Sequence, residues 1–416
     1  MLRVTRSAGP LVVVGCGFPQ LGLLRAAREL GVPTLGFDLN PHAVGVSLVD
    51  RFLPVSTGDT DAVVEAAREE GARGITTTGS ELALSTTAAA AIRLGLPFYA
   101  DPATVYRCQE KSTMRAAYEA AGLPVPAFAR VADLAEAKAF CEKHGYPVVV
   151  KPAQGWGQRG VSRVEAPEML GEAFDRAEKM SHGGAGVVLE QFLVGRELSV
   201  NGWVEGGELV AYGVTDREVF PGLAPLGVMR SEVAPSEQGR AAEALAVDAA
   251  TRAARALGLT RGPCYTQVCV AEGRAVVFET AARCGGGFDA DVTFLVSGVD
   301  LYRRLLGVAL DDPQLEAEGP RATGHGAALV RFVAPPVGIV ESVEGVAEAR
   351  GLPGVVDASV YAQPGQRLGG LVNAASRVAH LLVTGSDRAE AVARADQAEA
   401  RIKITVRPDP GQISYP

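Results

Sequence analysis

The sequence predicts a mixed α/β and α+β fold in three parts, of which the first is a doubly wound α/β domain. Up to residue 107, short apolar runs alternate with amphipathic helical patterns, which is typical of a parallel sheet covered by helices. Beyond this point, runs rich in Val, Tyr and Thr follow one another and indicate hairpins, and the tail mixes strands with a helix. The predicted domains are residues 1–107, a central two-part domain at 108–324 with a smaller subdomain at about 124–189, and a C-terminal α+β platform at 325–416.

Composition and charge describe a globular protein with an ample core. Of the 416 residues, 47% are hydrophobic and 21% are charged, and the formal net charge is −8. An acidic chain without a basic stripe disfavours nucleic acid as a partner. No apolar run approaches the ~18–20 residues that a membrane span needs, so we expect no membrane contact. The N-terminus carries no signal-peptide pattern, which favours a cytoplasmic location.

The cysteines point to neither a disulfide framework nor a zinc site. No CxxC pair occurs, and no Cys/His cluster has the spacing of zinc ligands. We therefore expect all of them to be buried and reduced. The six positions are Cys16, Cys108, Cys141, Cys264, Cys269 and Cys284.

The first βαβ unit invites comparison with dinucleotide-binding domains. Leu11–Val14 is an apolar run followed by Gly15 and Gly17, after which a helical pattern begins. Gln20 replaces the third glycine of the fingerprint. We therefore expect a nucleotide-fold domain without its dinucleotide. A nicotinamide oxidoreductase is kept as an alternative that rests only on the two glycines.

A predicted β-hairpin carries the most informative polar side chains. Its strands are Cys264–Val270 and Ala275–Thr280, and we expect a three-residue loop, Glu272–Arg274. With that loop, Gln267 lies opposite Glu279, whereas a loop of two or four residues would place them on opposite faces. Two oxygen donors side by side on a sheet suit a hard divalent cation such as Mg²⁺.

A cation and a glycine run follow the second strand of this hairpin. Arg283 comes four residues after Glu279, and Gly285–Gly287 allow close approach of a backbone. Metal donors, a cation and glycines together indicate a site for phosphate chemistry. The alternative interpretation is an edge hairpin with one solvated glutamate.

Two lysines and a glycine-rich loop lie before the hairpin. Lys111 opens a predicted helix, and Lys151 follows the predicted strand Pro147–Val150. Residues 154–161 contain three glycines and Arg159, which is typical of a flap over an anion, because backbone N–H groups can cradle phosphate oxygens. The loop is not a P-loop, since the chain contains no GK[ST] sequence. The alternative is an ordinary glycine-rich hairpin tip.

Three arginines are candidate anchors for the carboxylate of a small-molecule substrate. Arg217 and Arg230 lie in Thr215–Glu232, which we interpret as a long functional loop, and Arg331 lies in the predicted platform. The alternative for each of them is a surface arginine. No histidine lies in the hairpin or the glycine-rich loop, so the sequence indicates no general base.

The order and spacing of these features resemble the ATP-grasp superfamily of carboxylate–amine ligases, which includes bacterial L-amino-acid ligases, D-alanine–D-alanine ligase and biotin carboxylase. The resemblance covers nearly all of the chain. It implies the ATP-grasp fold, in which the two parts of the central domain grip the nucleotide. It also implies an enzyme that uses ATP and Mg²⁺, or Mn²⁺, to activate a carboxylate as an acyl phosphate and couple it to an amine.

The resemblance implies eight nucleotide-binding residues in this sequence. Those similar to the phosphate-binding residues of the family are Lys111, Lys151, Arg159 and Gly160, the last two in the mobile loop over the γ-phosphate. Those similar to the residues that hold adenine and ribose are Glu190, Gln191, Leu193 and Glu197.

The resemblance also covers the metal site, with one departure. Gln267 and Glu279 match the metal positions, and Arg283 is suited to stabilise the acyl phosphate and the oxyanion that follows it. The family pattern is E-x-N-x-R, and Ala281 stands in place of the asparagine that usually binds a second metal ion. Because Glu279, Arg283 and both lysines are present together, we expect activity to be retained.

Two other functions stay open within the same fold. A bicarbonate-activating carboxylase would change the chemistry but keep ATP, and the chain contains no MKM biotinyl signature. A non-catalytic ATP-binding subunit is motivated by Ala281. The expected partners are small-molecule carboxylate and amine substrates, and we expect a homodimer by analogy with the superfamily.

Overall fold

The N-terminal unit is a four-stranded parallel sheet flanked by helices, as the alternation of apolar runs predicts. A computed structural model describes residues 9–154, 160–181, 186–221 and 227–409 of the chain. The elements of the N-terminal unit are β1 (Leu11–Val14), α1 (Leu21–Glu29), β2 (Thr34–Phe37), β3 (Arg51–Leu53), α2 (Thr60–Glu69), β4 (Gly74–Thr76) and α3 (Glu81–Leu94). The strand order is β3-β2-β1-β4. All of β1 is buried, as expected for a strand covered on both faces.

A small antiparallel sheet with two helices forms the next unit, which we name the lid. Two helices, α4 (Pro102–Arg107) and α5 (Lys111–Ala120), lead into it. Its elements are β5 (Phe128–Val131), α6 (Leu134–His144), β6 (Val148–Pro152), β7 (Ser162–Val164), α7 (Leu170–Met180) and β8 (Val187–Gln191). The strand order is β5-β8-β6-β7, and α6 and α7 cover one face with Phe140 and Phe174. Because β6 and β8 are neighbours, the side chains at their ends meet.

The central elements build most of a large antiparallel sheet. They are β9 (Arg196–Glu205), β10 (Glu208–Val219), β11 (Met229–Ala234), α8 (Gly239–Ala256), β12 (Arg261–Ala271), β13 (Arg274–Ala281), α9 (Asp289–Ser297), α10 (Leu301–Ala309) and α11 (Pro313–Glu316). The alanines of α8 pack against Val200, Val268 and Val277 on one face of this sheet. The other face carries Gln267 and Glu279, and we name it the cleft face.

The C-terminal strands continue the same sheet. The elements are β14 (Ala327–Val333), β15 (Val337–Glu344), α12 (Val346–Arg350), β16 (Val355–Val360), β17 (Arg367–Gly369), β18 (Ala379–Gly385), α13 (Arg388–Arg401) and β19 (Lys403–Arg407). The eight strands of the large sheet are ordered β13-β12-β9-β10-β11-β14-β18-β16, and β17, β15 and β19 form a separate small sheet. The C-terminal part therefore shares its main sheet with the central part.

The stretch Thr215–Glu232 is not the long loop that the sequence predicts. Half of it, residues 215–219 and 229–232, belongs to β10 and β11, which pair with each other, and the described residues 220, 221, 227 and 228 lie outside these strands. Residues 222–226 of this stretch lie outside the described residues. Strand pairing on both sides of β10 outweighs the local turn signals of this stretch. Arg217 and Arg230 therefore lie on strands of the large sheet.

Two features of the composition have structural counterparts. All six cysteines are buried and unpaired, and burial raises the pKa of Cys264 to about 12, which keeps its thiol protonated. In the described part of the chain, no helix combines the length and apolar character that crossing a bilayer requires.

Candidate active site

The hairpin of β12 and β13 brings Gln267 and Glu279 side by side, but not through a three-residue loop. The turn has two residues, Glu272 and Gly273. A β-bulge at Phe278 then shifts the register by one residue, so that Gln267 pairs with Glu279. Without this bulge, Glu279 would lie on the opposite face of the sheet. The predicted pairing is therefore confirmed, and the predicted loop length is wrong.

Tyr265 orients the amide of Gln267 so that its carbonyl oxygen remains for a cation. The amide nitrogen of Gln267 donates to the Tyr265 hydroxyl at 2.7 Å. The carbonyl oxygen and the Glu279 carboxylate are the hard donors that Mg²⁺ prefers. Within the described ranges, no three His, Cys, Asp or Glu side chains are grouped so that they could hold a metal ion. A Mg²⁺ ion at this pair would therefore complete its shell with phosphate oxygens and water, as it usually does at nucleotide sites.

Arg115 of α5 supports the bulge that sets this register. Its Nη1 donates to the carbonyl oxygens of Val277 and Phe278, so the backbone groups that leave the regular ladder are satisfied. Its Nε donates to Glu190 at 2.9 Å, and the side chain is buried. Arg115 is not among the site residues predicted from the sequence. Its spacing of four residues from Lys111 was the available signal, because this spacing puts both side chains on one face of a helix.

The buried carboxylate of Glu190 on β8 holds both Arg115 and Lys151. Lys151 Nζ lies 2.6 Å from Glu190 Oε2. Burial opposes the charge of Glu190, but Arg115 and Lys151 lower the pKa of this carboxyl to about 2. Burial lowers the pKa of Lys151 to about 8, against the raising effect of Glu190. Both oxygens of the residue predicted to contact adenine are thus engaged by cations.

Lys111 lies where three parts of the chain meet. It begins α5, directly after Glu110, which caps this helix. Burial lowers the pKa of Lys111, and the carboxylates of Glu279, Glu190 and Glu81 raise it. These acids belong to β13, β8 and the start of α3, so Lys111 lies between the lid, the large sheet and the N-terminal unit.

The other predicted nucleotide-binding residues lie along the edge of the lid. Arg159 lies outside the described residues. Gly160 has a φ of +74°, and a Cβ there would lie 2.9 Å from the Cβ of Met180, so the position favours glycine. Gln191 is exposed at the end of β8, and Leu193 is half-buried in the connection to β9.

Glu197 of β9 forms an ion pair with Arg217 of β10 on the cleft face. The Arg217 Nη1 atom lies 2.6 Å from Glu197 Oε2, and Nη2 donates to the carbonyl oxygen of Gly227. Burial works against the charge, but Glu197 and other neighbours raise the pKa of Arg217. The arginine predicted as a substrate anchor is thus paired with the acid predicted to bind ribose.

The remaining two candidate anchors form ion pairs with helix α13. The Arg331 Nη1 atom lies 2.8 Å from Asp396 and 3.1 Å from Glu399, and Arg230 lies 3.5 Å from Glu399. The strand register puts Arg331 on the face opposite to the cleft face. Both guanidinium groups therefore hold α13 against the sheet, and Arg331 lies away from the Gln267–Glu279 pair.

Arg283 connects the hairpin with the N-terminal unit through Glu81. Its Nε and Nη2 atoms lie 2.7 Å and 2.5 Å from one oxygen of Glu81. Burial opposes the charge, but Glu81 and Glu279 raise the pKa of Arg283. The guanidinium lies 6.0 Å from the ring centroid of Tyr265, which also orients Gln267. A fixed cation therefore lies close to the predicted metal donors.

A buried pair of carboxyl groups, Glu232 and Asp289, lies between the cleft face and α9. Glu232 accepts hydrogen bonds from the hydroxyls of Ser199 and Thr215 at 2.8 Å and 2.7 Å. Burial and the neighbouring Asp289 raise the pKa of Glu232 well above its usual value. Neither carboxyl group is among the site residues predicted from the sequence. The only signal was an acidic residue inside the strand pattern MRSEVA.

Gln20 fills the loop after β1 that a dinucleotide would need. Its side chain accepts from the backbone N–H of Gly17 at 3.0 Å and donates to the carbonyl oxygen of Thr78 at 2.6 Å. A Cβ at Gly15 would lie 2.9 Å from this side chain. The two glycines thus enclose a glutamine and not an open phosphate site, which removes the basis of the oxidoreductase alternative.

The fold and this site together define the class of the protein. Two lysines, a paired Gln267 and Glu279, and Arg283 converge where the lid, the large sheet and the N-terminal unit meet. The chain belongs to the ATP-grasp superfamily. The family model described as the carbamoyl-phosphate synthase L chain ATP-binding domain matches residues 110–316, and that of the L-amino acid ligase C-terminal domain 2 matches residues 331–407.

One curated relative illustrates the similarity at the level of sequence. The protein y4rH of Sinorhizobium fredii, described as uncharacterized, is 27% identical over 311 residues, which are 74% of this chain and 63% of that protein. This chain therefore spans less than two thirds of that relative.

Two solved structures of other proteins match this chain over almost its whole length. The L-amino acid ligase from Bacillus licheniformis has a TM-score of 0.80 and 23% identity, and the match covers 97% of this chain and 100% of that one. The biotin carboxylase domain of the Hydrogenobacter thermophilus 2-oxoglutarate carboxylase, in complex with MgADP, ADP and bicarbonate, has a TM-score of 0.75 and 19% identity. That match covers 96% of this chain and 91% of that one. At these identities the likeness shows the fold.

Proposed function

We propose that this chain is an ATP-dependent ligase that activates the carboxylate of an amino acid and couples it to an amine. The observation that carries the proposal is the pairing of Gln267 with Glu279 on the cleft face. Arg283 and Lys111 both lie within electrostatic range of Glu279. Donors for a cation, a lysine for phosphate and a guanidinium for an oxyanion thus lie in one place, which is what phosphoryl transfer to a carboxylate needs.

The reaction has two balanced steps. A carboxylate oxygen attacks the γ-phosphorus of ATP, ADP leaves, and an acyl phosphate forms. The amine then attacks the acyl carbon, phosphate leaves, and the nitrogen loses a proton. A free carboxylate is a poor electrophile in water, so the first step makes the second one feasible.

The residues of the chain bind and orient the reacting groups. Gln267 and Glu279 would hold Mg²⁺, which neutralises charge on the β- and γ-phosphates when it is bound. Lys111 and Lys151 would bind triphosphate oxygens and align them for in-line transfer. Lys151 must be protonated for this task, and its contact with Glu190 at 2.6 Å favours the charged form.

Arg283 would stabilise the acyl phosphate and the oxyanion of the tetrahedral intermediate. A planar guanidinium can donate several hydrogen bonds to such oxygens at once. Its contact with Glu81 at 2.5 Å fixes the side chain before the substrate arrives. Donors that are positioned in advance stabilise a developing negative charge most effectively.

Two similarities support an amino acid as the substrate. The family model of an L-amino acid ligase C-terminal domain matches residues 331–407, and the L-amino acid ligase of Bacillus licheniformis shares the fold over 97% of the chain. The departure from the family pattern at Ala281, which is buried, leaves Gln267 and Glu279 as the proposed ligands of one ion.

The experiment is an ADP-release assay with MgATP and pairs of L-amino acids. We expect ADP and phosphate to form in step with an amide product that mass spectrometry identifies. Arg283→Ala should lower the rate by about 10²–10³, the typical effect of removing an oxyanion donor. ADP release from no pair, in a chain that binds MgATP, would contradict the ligase and favour a non-catalytic subunit.

A bicarbonate-activating carboxylase is the second candidate. It is favoured by the similar fold of the biotin carboxylase domain whose structure contains bicarbonate. The same assay separates the two functions. ADP release that requires bicarbonate and no amino acid would support the carboxylase, and release that is unchanged after bicarbonate is removed would support the ligase.

A further inference from the structure

Arg377 is a half-buried arginine whose charge has no partner among the described residues. It lies just before β18. Its Nε donates to the carbonyl oxygen of Ala374 at 2.7 Å, and its Nη1 donates to that of Met229 at 3.4 Å. Both acceptors are neutral. The described part of the chain offers no hydrogen bond to Nη2 and no carboxylate within ion-pair distance.

Aromatic rings hold this guanidinium in a defined orientation. Its Cζ lies 3.6 Å from the ring centroid of Phe332 on β14. Phe288, which follows the glycine run after Arg283, lies 6.1 Å from Phe332 and 4.0 Å from the ring of His380. Phe332 and Phe288 thus connect Arg377 with the segment that follows Arg283.

The charged groups near Arg377 place it beside the cleft face. Burial lowers the pKa of Arg377 to about 10, Tyr361, Asp289 and Glu232 raise it, and Arg217 lowers it. Arg217 of β10 and Glu232 of β11 lie opposite each other in the strand register, on the cleft face. A guanidinium in such surroundings costs free energy until a carboxylate comes within hydrogen-bonding distance.

We propose that Arg377 binds the free carboxylate of the amine substrate, which is then an amino acid. This inference rests on the proposed function. The carboxyl group that is activated must lie beside Gln267 and Arg283, so the carboxylate on Arg377 is the one that the reaction leaves unchanged. The chemistry recognised is an α-carboxylate next to the attacking amine.

The dimensions of the sheet fit this arrangement. Arg377 reaches back to Met229 on β11, and three strand spacings separate β11 from β12, which carries Gln267. At ~4.8 Å per spacing, they span roughly 14 Å. An extended dipeptide would cover ~7 Å of this distance, and the phosphate group and the side chains of Gln267 and Arg377 would cover the rest. The amide product would thus lie across the strands, with its C-terminal carboxylate on Arg377.

The inference also accounts for the other arginines. Arg217, Arg230 and Arg331 all have carboxylate partners on this chain. Arg377 has none in the described ranges and lies on the side of the cleft away from the predicted metal donors. A substrate carboxylate would therefore complete a site at Arg377 and would compete with an existing ion pair at the others.

The test compares the binding of L-amino acids with that of their C-terminal amides, which lack the carboxylate charge. The full chain is titrated with each pair in the presence of MgADP by calorimetry. We expect at least one amino acid to bind about tenfold or more tightly than its amide. Arg377→Met should remove this preference while keeping the contact with Phe332, and Arg377→Lys should retain part of it.

A matched control and a second readout make the outcome decisive. Arg367→Met changes an exposed arginine that pairs with Asp409 outside the cleft, and it should keep the wild-type preference. A preference that survives Arg377→Met at an unchanged melting temperature would overturn the proposal, as would a wild-type chain that does not prefer the acid. If Arg377→Met does not fold, Arg377→Lys is tested instead. An Arg377→Lys variant that keeps the full wild-type preference for the amino acid over its amide would overturn the proposal.

The ADP-release assay separates this inference from the proposed function. A chain that shows the Arg377-dependent preference but releases no ADP would contradict the ligase and support the carboxylate site. A chain that releases ADP with an amino acid and keeps its preference in Arg377→Met would support the ligase and contradict the site.

Discussion

Lys151 combines a buried position with a predicted phosphate contact, and its protonation should respond to ATP. Burial lowers its pKa to about 8, so the free protein loses part of this charge as the pH rises through 8. A bound triphosphate favours the charged form and raises the pKa again. Binding of MgATP at pH 8 should therefore take up protons, and affinity should fall above this pH.

Calorimetry in two buffers with different ionisation enthalpies measures this uptake. Lys151→Arg should reduce it, because a guanidinium stays protonated throughout. Lys138→Arg on the exposed surface of the lid is the control and should match the wild type. Equal proton uptake by the wild type and Lys151→Arg would refute the assigned role of this lysine.

Substitutions at Gln267 and Glu279 should shift the half-saturating Mg²⁺ concentration in opposite directions. Gln267→Glu adds a negative oxygen donor and should lower the half-saturating Mg²⁺ concentration severalfold, whereas Glu279→Gln should raise it by about tenfold or more. The measurement is the rate of ADP release at a fixed ATP concentration while the Mg²⁺ concentration is varied. Glu341→Gln, an exposed position on β15, should leave the value unchanged. If neither substitution at the hairpin shifts it, the ion binds elsewhere.

The sequence identified some residues of the site and missed others for a physical reason. Lys151 and Glu279 are charged residues near the ends of apolar strand patterns, so local patterns reveal them. Arg115 and Arg377 act through partners that lie far away in the chain, such as Val277 for Arg115 and Met229 for Arg377. Such contacts depend on the tertiary fold, and a surface arginine has the same local sequence pattern.

At the scale of the element, the turn between β12 and β13 contains a residue under strain. Glu272 has a φ of 49° and Gly273 a φ of 71°, and positive values at both positions are typical of a type I′ turn. Asn tolerates this conformation better than Glu does. Glu272→Asn should raise the free energy of unfolding by about 0.5–1 kcal/mol, with Glu272→Gln close to the wild type.

Urea unfolding, followed by the shift of the midpoint, tests this expectation. The side chain of Glu272 is exposed, so no lost contact complicates the comparison. A lower midpoint for Glu272→Asn than for Glu272→Gln would contradict the type I′ turn.

The same hairpin shows where sequence reasoning reaches its limit. Local chemistry indicates a turn near Gly273, but it indicates neither the turn's length nor the bulge at Phe278, because Phe278 is as apolar as Val277 beside it. The predicted side-by-side placement of Gln267 and Glu279 is correct, although the loop has two residues and the bulge restores the register. A buried donor from another element, Arg115, stabilises that bulge.

At the scale of the whole molecule, Arg115 connects helix α5 with the lid and the large sheet. It belongs to α5, forms an ion pair with Glu190 of the lid and donates to the backbone of β13. Arg115→Met should lower the free energy of unfolding by about 3–5 kcal/mol, because it leaves one oxygen of the buried Glu190 carboxylate and two carbonyl groups without this donor, while Lys151 still holds the other oxygen. Thermal or urea unfolding measures the loss.

An exposed ion pair provides the matched control for Arg115. Arg93→Met breaks the pair with Asp61 on the surface of the N-terminal unit and should cost at most about 1 kcal/mol. A loss of stability no larger in Arg115→Met than in Arg93→Met would show that Arg115 does not connect the units.

The sequence predicts the architecture of the N-terminal unit better than that of the large sheet. Alternating apolar runs predict the parallel N-terminal sheet, because β1, β3 and β4 are each followed by a helix. The continuation of the large sheet from β11 into β14 was not predictable, since the two strands are separated by almost a hundred residues of chain and by α8 to α11. The division of the chain into three domains stays a prediction.

The central claim is that nucleotide and cation meet at the pair formed by Gln267 and Glu279. A crystal structure with a non-hydrolysable ATP analogue and Mn²⁺, located by its anomalous signal, tests it directly. We predict an ion bound by both side chains and by phosphate oxygens, with Lys111 and Lys151 on the same triphosphate. An ion bound away from these two residues, or a triphosphate out of reach of both lysines, would contradict the account.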